Sequence, residues 1–225
     1  NIKDNLVRKL YKTKSGDIWL ANTQEGLGEW ITNSLPHIQF YKNDPYKKDG
    51  LSNNHVYDIT EDAQQNLWIS TYGGGLHYMD IKTKKINHIP ATGNLLEGIS
   101  PDGKGNIWMI SNGNLQRYNT QSKSSSFFHL PDLEKTGGVS GYIYRDDNGY
   151  MYMAGKNYFI SFHPDSIRDR RRQPPIFLTD FKIFNDSYSS LLSDKTVRLG
   201  YRQNYFTVEF SAPEYSLSEP VQYSY

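Results

Sequence analysis

The acids, amides and aromatic rings of this chain recur at intervals that limit its chemistry. Asp58, Glu61 and Asp62 lie close together, and Asp102, Asp146 and Asp147 occupy matching places further on. Two acids are what glycoside hydrolysis needs, one to protonate the leaving oxygen and one to attack or to activate water. A catalytic pair occurs once, whereas these acids recur with a turn pattern, as side chains that cap turns do. The six histidines (His37, His55, His77, His88, His129 and His163) show no short ligand spacing, and there is no cysteine. Zinc sites, thiol catalysis and disulfides are therefore not expected, and no metal or cofactor is assigned. Asp146-Asp147-Asn148-Gly149 has the start of a calcium loop without its later acid, so it reads as an Asn-Gly hairpin turn. There is no Gly-x-Ser-x-Gly elbow and no phosphate-binding loop, because Tyr72-Gly73-Gly74-Gly75 precedes a strand rather than a helix. The remaining chemistry is binding.

The elements that must position these groups are strands. Leu51 to Tyr78 is one whole unit: a polar lead-in (Ser52, Asn53, Asn54), an alternating strand from His55 to Ile59 with bulk from Val56, Tyr57 and Ile59, a turn from Glu61 to Asn66, a strand Leu67-Trp68-Ile69-Ser70-Thr71, a glycine turn, and a third strand from Leu76 to Met79. Copies are marked by Ile18-Trp19, Leu67-Trp68, Ile107-Trp108 and Met151-Tyr152, which fall 49, 40 and 44 residues apart. Four short strands with their turns need about 40 to 50 residues. A turn rich in glycine, asparagine and aspartate precedes each marker, and a glycine-containing turn follows it. A lone meander cannot bury both faces, whereas blades packed around an axis can. The expected fold is all-β: four-stranded antiparallel propeller blades, about four of them and part of a larger ring, followed by the start of an Ig-like β-sandwich.

Composition agrees. Eighteen Tyr, ten Phe and four Trp in 225 residues can build cores, while a mean hydropathy of −0.72 leaves a polar exterior. A net charge of +1 lacks the basic surplus of a nucleic-acid binder. No run approaches the ~18 apolar residues of a membrane span. The absence of cysteine suits a bacterial periplasm. The chain reads as a piece of a longer protein.

In chain order, blades are expected over residues 1–163, with the third from about Ile86 to Tyr118 and the fourth from about Phe127 to Phe162. Ser122 to Ser126 reads as a solvated loop. Residues 164–175 form a linker, where Pro164 and Pro174-Pro175 flank the basic run Arg168 to Arg172, itself read as solvated. Residues 176–225 open a second domain with alternating strands at Ile176 to Phe184 and Tyr205 to Phe210.

Asn43-Asp44-Pro45 through Leu51-Ser52-Asn53-Asn54, Leu67-Trp68-Ile69-Ser70-Thr71 and Gly74-Gly75-Leu76 closely resembles the regulator propeller repeat of bacterial hybrid two-component sensors. Pro174-Pro175-Ile176, Asn204 to Ala212, Tyr215 and Tyr223-Ser224-Tyr225 resemble the tyrosine-rich sandwich domain, Y_Y_Y, that follows those propellers. Gln65 departs from the usual turn glycine, and Tyr152 from the usual Trp. The resemblance implies a periplasmic sensor region of a histidine kinase that recognises an oligosaccharide and controls glycan-utilisation genes. It also implies a homodimer through the sandwich and attachment to the membrane only through a helix outside this chain. Two alternatives stay open: a propeller glycoside hydrolase or lyase, and a propeller scaffold that binds protein. Ser100 to Trp108 resembles a sialidase Asp-box, but it is one residue too long and has Lys104 at the glycine position.

Blade topology places the start of a first strand beside the end of the second. The candidate ligand-binding residues on that face are Asn53, Asn54, His55, Tyr72 and Gly73, with Gln24, Asn112, Tyr142, Lys156 and Tyr158 at equivalent places; Asn22, Glu25, Glu97, Ser111, Ser140 and Asn157 accompany them. Rings beside amides and hydroxyls suit a sugar, whose faces are apolar and whose rim is hydroxyl.

Overall fold

The computed structural model describes residues 6–32, 35–47, 49–90, 92–128, 137–167, 177–190 and 196–211. The chain forms two compact units, Asn1–Asp169 and Arg170–Tyr225. In the first unit β1 (Val7–Lys12), β2 (Ile18–Asn22), β3 (Leu27–Ile31) and β4 (His37–Tyr41) form one antiparallel sheet. The second sheet is β5 (Val56–Glu61), β6 (Leu67–Thr71), β7 (Gly75–Met79) and β8 (Ile86–Ile89). The third is β9 (Leu96–Pro101), β10 (Asn106–Ser111), β11 (Asn114–Asn119) and β12 (Ser124–Phe128). The fourth has three strands among the described residues, β13 (Val139–Arg145), β14 (Met151–Gly155) and β15 (Phe159–Phe162). Each sheet is a sequential meander, which is the organisation of a propeller blade.

Two boundaries differ from expectation. Ile86 to Ile89 is the outer strand of blade 2 rather than the start of blade 3, and Ser124 to Phe128 is the outer strand of blade 3 rather than a loop. Outer strands expose one face to water, so serines serve there as well as apolar residues do.

Alternation along the second strand of each blade builds the core. Leu67 and Ile69 face back onto Trp19, Ala21 and Leu27 of blade 1, while Trp68 faces forward onto Leu96, Ile99, Ile107 and Met109. Trp108 and Ile110 repeat the forward role against Val139, Ile143, Met151 and Met153. One side chain forward and one back, a period of two, is what makes successive blades stack.

The turn before each marker is also repeated. Asp62 Oδ1 accepts the N–H groups of Gln64 and Asn66 at 2.9 Å, and Asp102 Oδ1 accepts those of Lys104 and Asn106 at 2.7 and 3.1 Å. The other oxygen of each accepts the marker indole N–H, Trp68 at 3.0 Å and Trp108 at 3.4 Å. Asp146 Oδ1 likewise accepts the Tyr150 N–H at 2.8 Å, so Asp62, Asp102 and Asp146 are structural.

Pro164–Ser166 form a single 3-10 turn, and Ile167 packs against the third core cluster. The second unit contains β16 (Phe177–Ile183), β17 (Asp186–Ser187) and β18 (Phe206–Ser211) in an antiparallel sheet of order β17-β16-β18. The Arg168 to Arg172 run, Pro174-Pro175 and the terminal tyrosines lie outside the described residues.

Candidate ligand-binding site

The innermost strands of the four blades are β1, β5, β9 and β13, and each breaks register at the same place. Pairing with the neighbouring strand slips between Val7 and Lys9, between Val56 and Asp58, between Leu96 and Ile99, and between Ser140 and Tyr144. A β-bulge of this kind leaves an extra residue unpaired and re-aims its side chain. The residues at these slips are Arg8, Tyr57, Glu97 and the Gly141-Tyr142 pair.

Their side chains meet. The Arg8 guanidinium lies 4.5 Å from the centre of the Tyr57 ring, and the Tyr57 and Tyr142 ring centres are 5.7 Å apart. The Tyr57 hydroxyl donates to Glu97 Oε2 at 3.5 Å, the Gly141 N–H donates to that oxygen at 2.5 Å, and the Tyr142 hydroxyl donates to the Arg8 carbonyl at 3.0 Å. All four blades contribute to one cluster that solvent reaches, with Tyr142 42% exposed.

Beneath it lies a buried ion pair. Asp58 is fully buried; its Oδ1 accepts Lys9 Nζ at 2.5 Å and its Oδ2 accepts the Ile99 N–H at 2.9 Å, so one carboxylate ties blade 2 to blades 1 and 3. Burial pushes the Asp58 pKa up, and the Lys9 cation opposes that shift. Desolvation and then the Glu97 carboxylate raise the Tyr57 hydroxyl, while desolvation and then Asp58 raise that of Tyr142. Both phenols are therefore neutral donors at physiological pH.

Gly98 allows this convergence. A Cβ there would stand 2.5 Å from the Gly141 carbonyl oxygen and from Tyr142 Cα. Only glycine lets β9 and β13 approach this closely.

Of the residues proposed from sequence, Asn53, His55, Tyr72 and Gly73 come together at the rim. The Tyr72 N–H donates to the His55 carbonyl at 2.9 Å, their rings are 5.5 Å apart, and Asn53 Oδ1 accepts the His55 N–H at 2.8 Å. Burial and then the Arg8 charge lower the His55 pKa, and its buried Nε2 has no partner among the described residues. Tyr142 joins the cluster itself. The other residues do not. Asn54 Oδ1 accepts the Asn43 N–H at 2.6 Å, which anchors the preceding loop. Gln24 sits in a turn capped by Asn22 Oδ1, Asn112 is in the β10–β11 hairpin turn with φ 49°, and Lys156 is exposed in the β14–β15 turn. Tyr158 donates to the Gly138 carbonyl at 2.8 Å and packs into the third core cluster, so its ring serves the interior. Arg8 and Tyr57 are functional candidates that the strand pattern assigned to bulk or left aside, because nothing in a single sequence marks a bulge.

Among the described residues no group of His, Cys, Asp and Glu is arranged to hold a metal, and no helix is long and apolar enough to cross a membrane.

Residues 50–73 match the family described as "Two component regulator propeller". The chain is similar to Histidine kinase P4 of Formosa agariphila, 25% identical over 249 aligned residues, with all of this chain and 17% of that protein covered. It is similar in fold to an extracellular domain assigned to a hybrid two component system of Bacteroides thetaiotaomicron, at 24% identity and a TM-score of 0.65 over 74% of this chain and 23% of that one. A second such extracellular domain from the same organism covers 94% of this chain and 28% of its own at 15% identity, with a TM-score of 0.55. The chain spans under a third of each of these relatives. Residues 50–73 are thus similar to a two-component regulator propeller repeat and lie within an all-β set of propeller blades, and the proteins the chain resembles include a histidine kinase and extracellular domains of hybrid two component systems.

Proposed function

We propose that this chain is the periplasmic ligand-sensing region of a hybrid two-component histidine kinase and that it binds an oligosaccharide on the face where the bulged inner strands converge. The observation that carries this reading is the repeated bulge, which gathers a guanidinium, two phenols and a carboxylate from four blades into one solvent-reached cluster beside the His55–Tyr72 pair. Rings offer stacking surfaces for sugar faces, and directional donors and acceptors read the hydroxyl rim. The similarity to a histidine kinase supports a signalling role over a catalytic one.

The signal follows from blade coupling. A ligand contacting Arg8, Tyr57 and Tyr142 touches three blades at once, so it favours one inter-blade geometry over another. Only a difference in affinity between two arrangements can shift them. The second unit, dimerised with a copy of itself, would relay that shift toward the membrane and so to transcription of glycan-utilisation genes.

The test is calorimetric titration of the full extracytoplasmic region with oligosaccharides of varied linkage and charge, with product analysis of the same samples. Saturable binding with intact sugar is expected, weakened about tenfold by Arg8→Ala or Tyr142→Ala. Cleaved sugar would indicate an enzyme, and silence across the panel would favour a protein ligand.

A further inference from the structure

The cleft where one blade's marker ring faces the next blade occurs between blades 1 and 2, 2 and 3, and 3 and 4, and it is filled in two of these. Between blades 1 and 2, Lys84 stands 4.6 Å over the Trp19 ring and donates to Glu29 Oε1 at 2.6 Å, while the Tyr41 hydroxyl donates to Glu29 Oε2 at 2.7 Å. Between blades 3 and 4, the Arg117 guanidinium lies 5.4 Å from the ring centres of both Trp108 and Phe128, and Phe162 closes on Trp108 at 5.2 Å.

Between blades 2 and 3 the same positions leave the cleft open. Across the ladder, Trp19 pairs with Glu29 and Trp108 with Arg117, whereas Trp68 pairs with Tyr78. This position therefore supplies neither an acid nor a guanidinium. A groove of about 700 Å³ results, with Tyr78 and Tyr118 beside Trp68 and with Asn66, Asn87 and Gln121 along the rim. Among the described residues the hydroxyls of Tyr78 and Tyr118 make no hydrogen bond.

Lys123, which also lines this groove, occupies the place in blade 3 that Lys84 holds in blade 2. The two turns are alike. Asp80 Oδ1 accepts the N–H groups of Lys82 and Thr83, and Asn119 Oδ1 accepts those of Gln121 and Ser122. The next residue of each turn, Lys84 or Lys123, is left-handed, with φ of 57° and 54°. The fold thus delivers a lysine to both the blade 1–2 and the blade 2–3 cleft, but the carboxylate that meets Lys84 has no counterpart at Lys123, which has no ion pair among the described residues. The acid of the lining, Asp62, is committed to its turn and to the Trp68 indole, and Lys104 is held by Asp165 at 2.6 Å.

We infer that this groove is a second binding site, for a saccharide bearing a carboxylate. The ligand's carboxylate takes at Lys123 the place that Glu29 takes at Lys84, its ring lies on Tyr78, and its hydroxyls meet the rim amides and the free phenols. The volume falls within the usual range of ligand sites. This site stands apart from the bulge cluster and does not depend on its assignment.

The experiment is titration of the full chain with trigalacturonate and with its neutral galactose counterpart. Trigalacturonate is expected to bind saturably and more weakly as salt rises, with the neutral trimer at least tenfold weaker. Lys123→Gln should weaken binding at least tenfold. Tyr78→Glu, which supplies the missing plug, should abolish binding while the melting temperature holds or rises, and Lys14→Gln, the same change of charge at an exposed turn outside both sites, should leave binding unchanged. Absence of saturable binding, indifference to Lys123→Gln or to Tyr78→Glu, or an equal loss with Lys14→Gln would each overturn the inference.

Discussion

The Tyr152 hydroxyl donates to Asp146 Oδ2 at 3.1 Å, in the place where the Trp108 indole meets Asp102 and the Trp68 indole meets Asp62. Each donor follows its acid by six residues, so the change of ring in blade 4 conserves the tether between turn and second strand. Blade 1 lacks it. Thr13 stands where the acid would be, its hydroxyl accepts the Asp17 N–H at 3.0 Å, and the buried Trp19 indole nitrogen has no partner among the described residues. Asp102→Asn should keep the turn cap yet turn an amide N–H toward the Trp108 indole, costing about 1–3 kcal/mol, and Tyr152→Phe should cost about 1 kcal/mol. Chemical denaturation measures both, and no loss in Asp102→Asn would refute the tether.

Gln65 holds φ 65° where the equivalent turn residues are Gly16, Gly105 and Gly149, with φ of 99°, 88° and 90°. A left-handed backbone costs a residue with a Cβ about 1–2 kcal/mol. Gln65→Gly should therefore stabilise the chain by about 1 kcal/mol, offset in part by the freedom glycine gains when unfolded. A fall in the denaturation midpoint would contradict this account of the turn.

Gly98→Ala would place a methyl group 2.5 Å from the blade 4 backbone. Backbone cannot rotate aside as a flexible side chain can, so β9 and β13 must part. The expected loss is about 3 kcal/mol, and ligand affinity should fall with it because Glu97 and Tyr142 separate.

His77 is buried. Its Nε2 accepts the Ser52 N–H at 2.9 Å, and desolvation and then the neighbouring His88 lower its pKa to about 4. Between pH 6.5 and 4 the unfolded chain takes up a proton that the folded chain refuses. Stability is therefore complete above about pH 6.5 and declines as the pH falls through this window, by about 3 kcal/mol in all. Denaturation curves at pH 7, 5.5 and 4 should show the decline in the wild type and a flatter profile in His77→Gln.

The recurring Ile-Trp and Leu-Trp markers made the blades legible, because a large ring beside an aliphatic residue reports an inward strand wherever it stands. Blade edges were less legible, since Ser124 to Ser126 carry no apolar alternation and only pairing with β11 makes them a strand. The meeting of His55 and Tyr72 followed from local strand geometry. The contacts among Arg8, Tyr57, Glu97 and Tyr142 did not, because they join residues up to 134 positions apart through bulges that leave no compositional trace.

The most direct test of the proposed sensing site is a titration of the protein with the oligosaccharide panel, comparing wild type, Arg8→Ala and Tyr142→Ala. The account predicts saturable binding of intact sugar by the wild type and a dissociation constant raised about tenfold, or roughly 1.4 kcal/mol, in each variant. Equal affinity in all three proteins would contradict it.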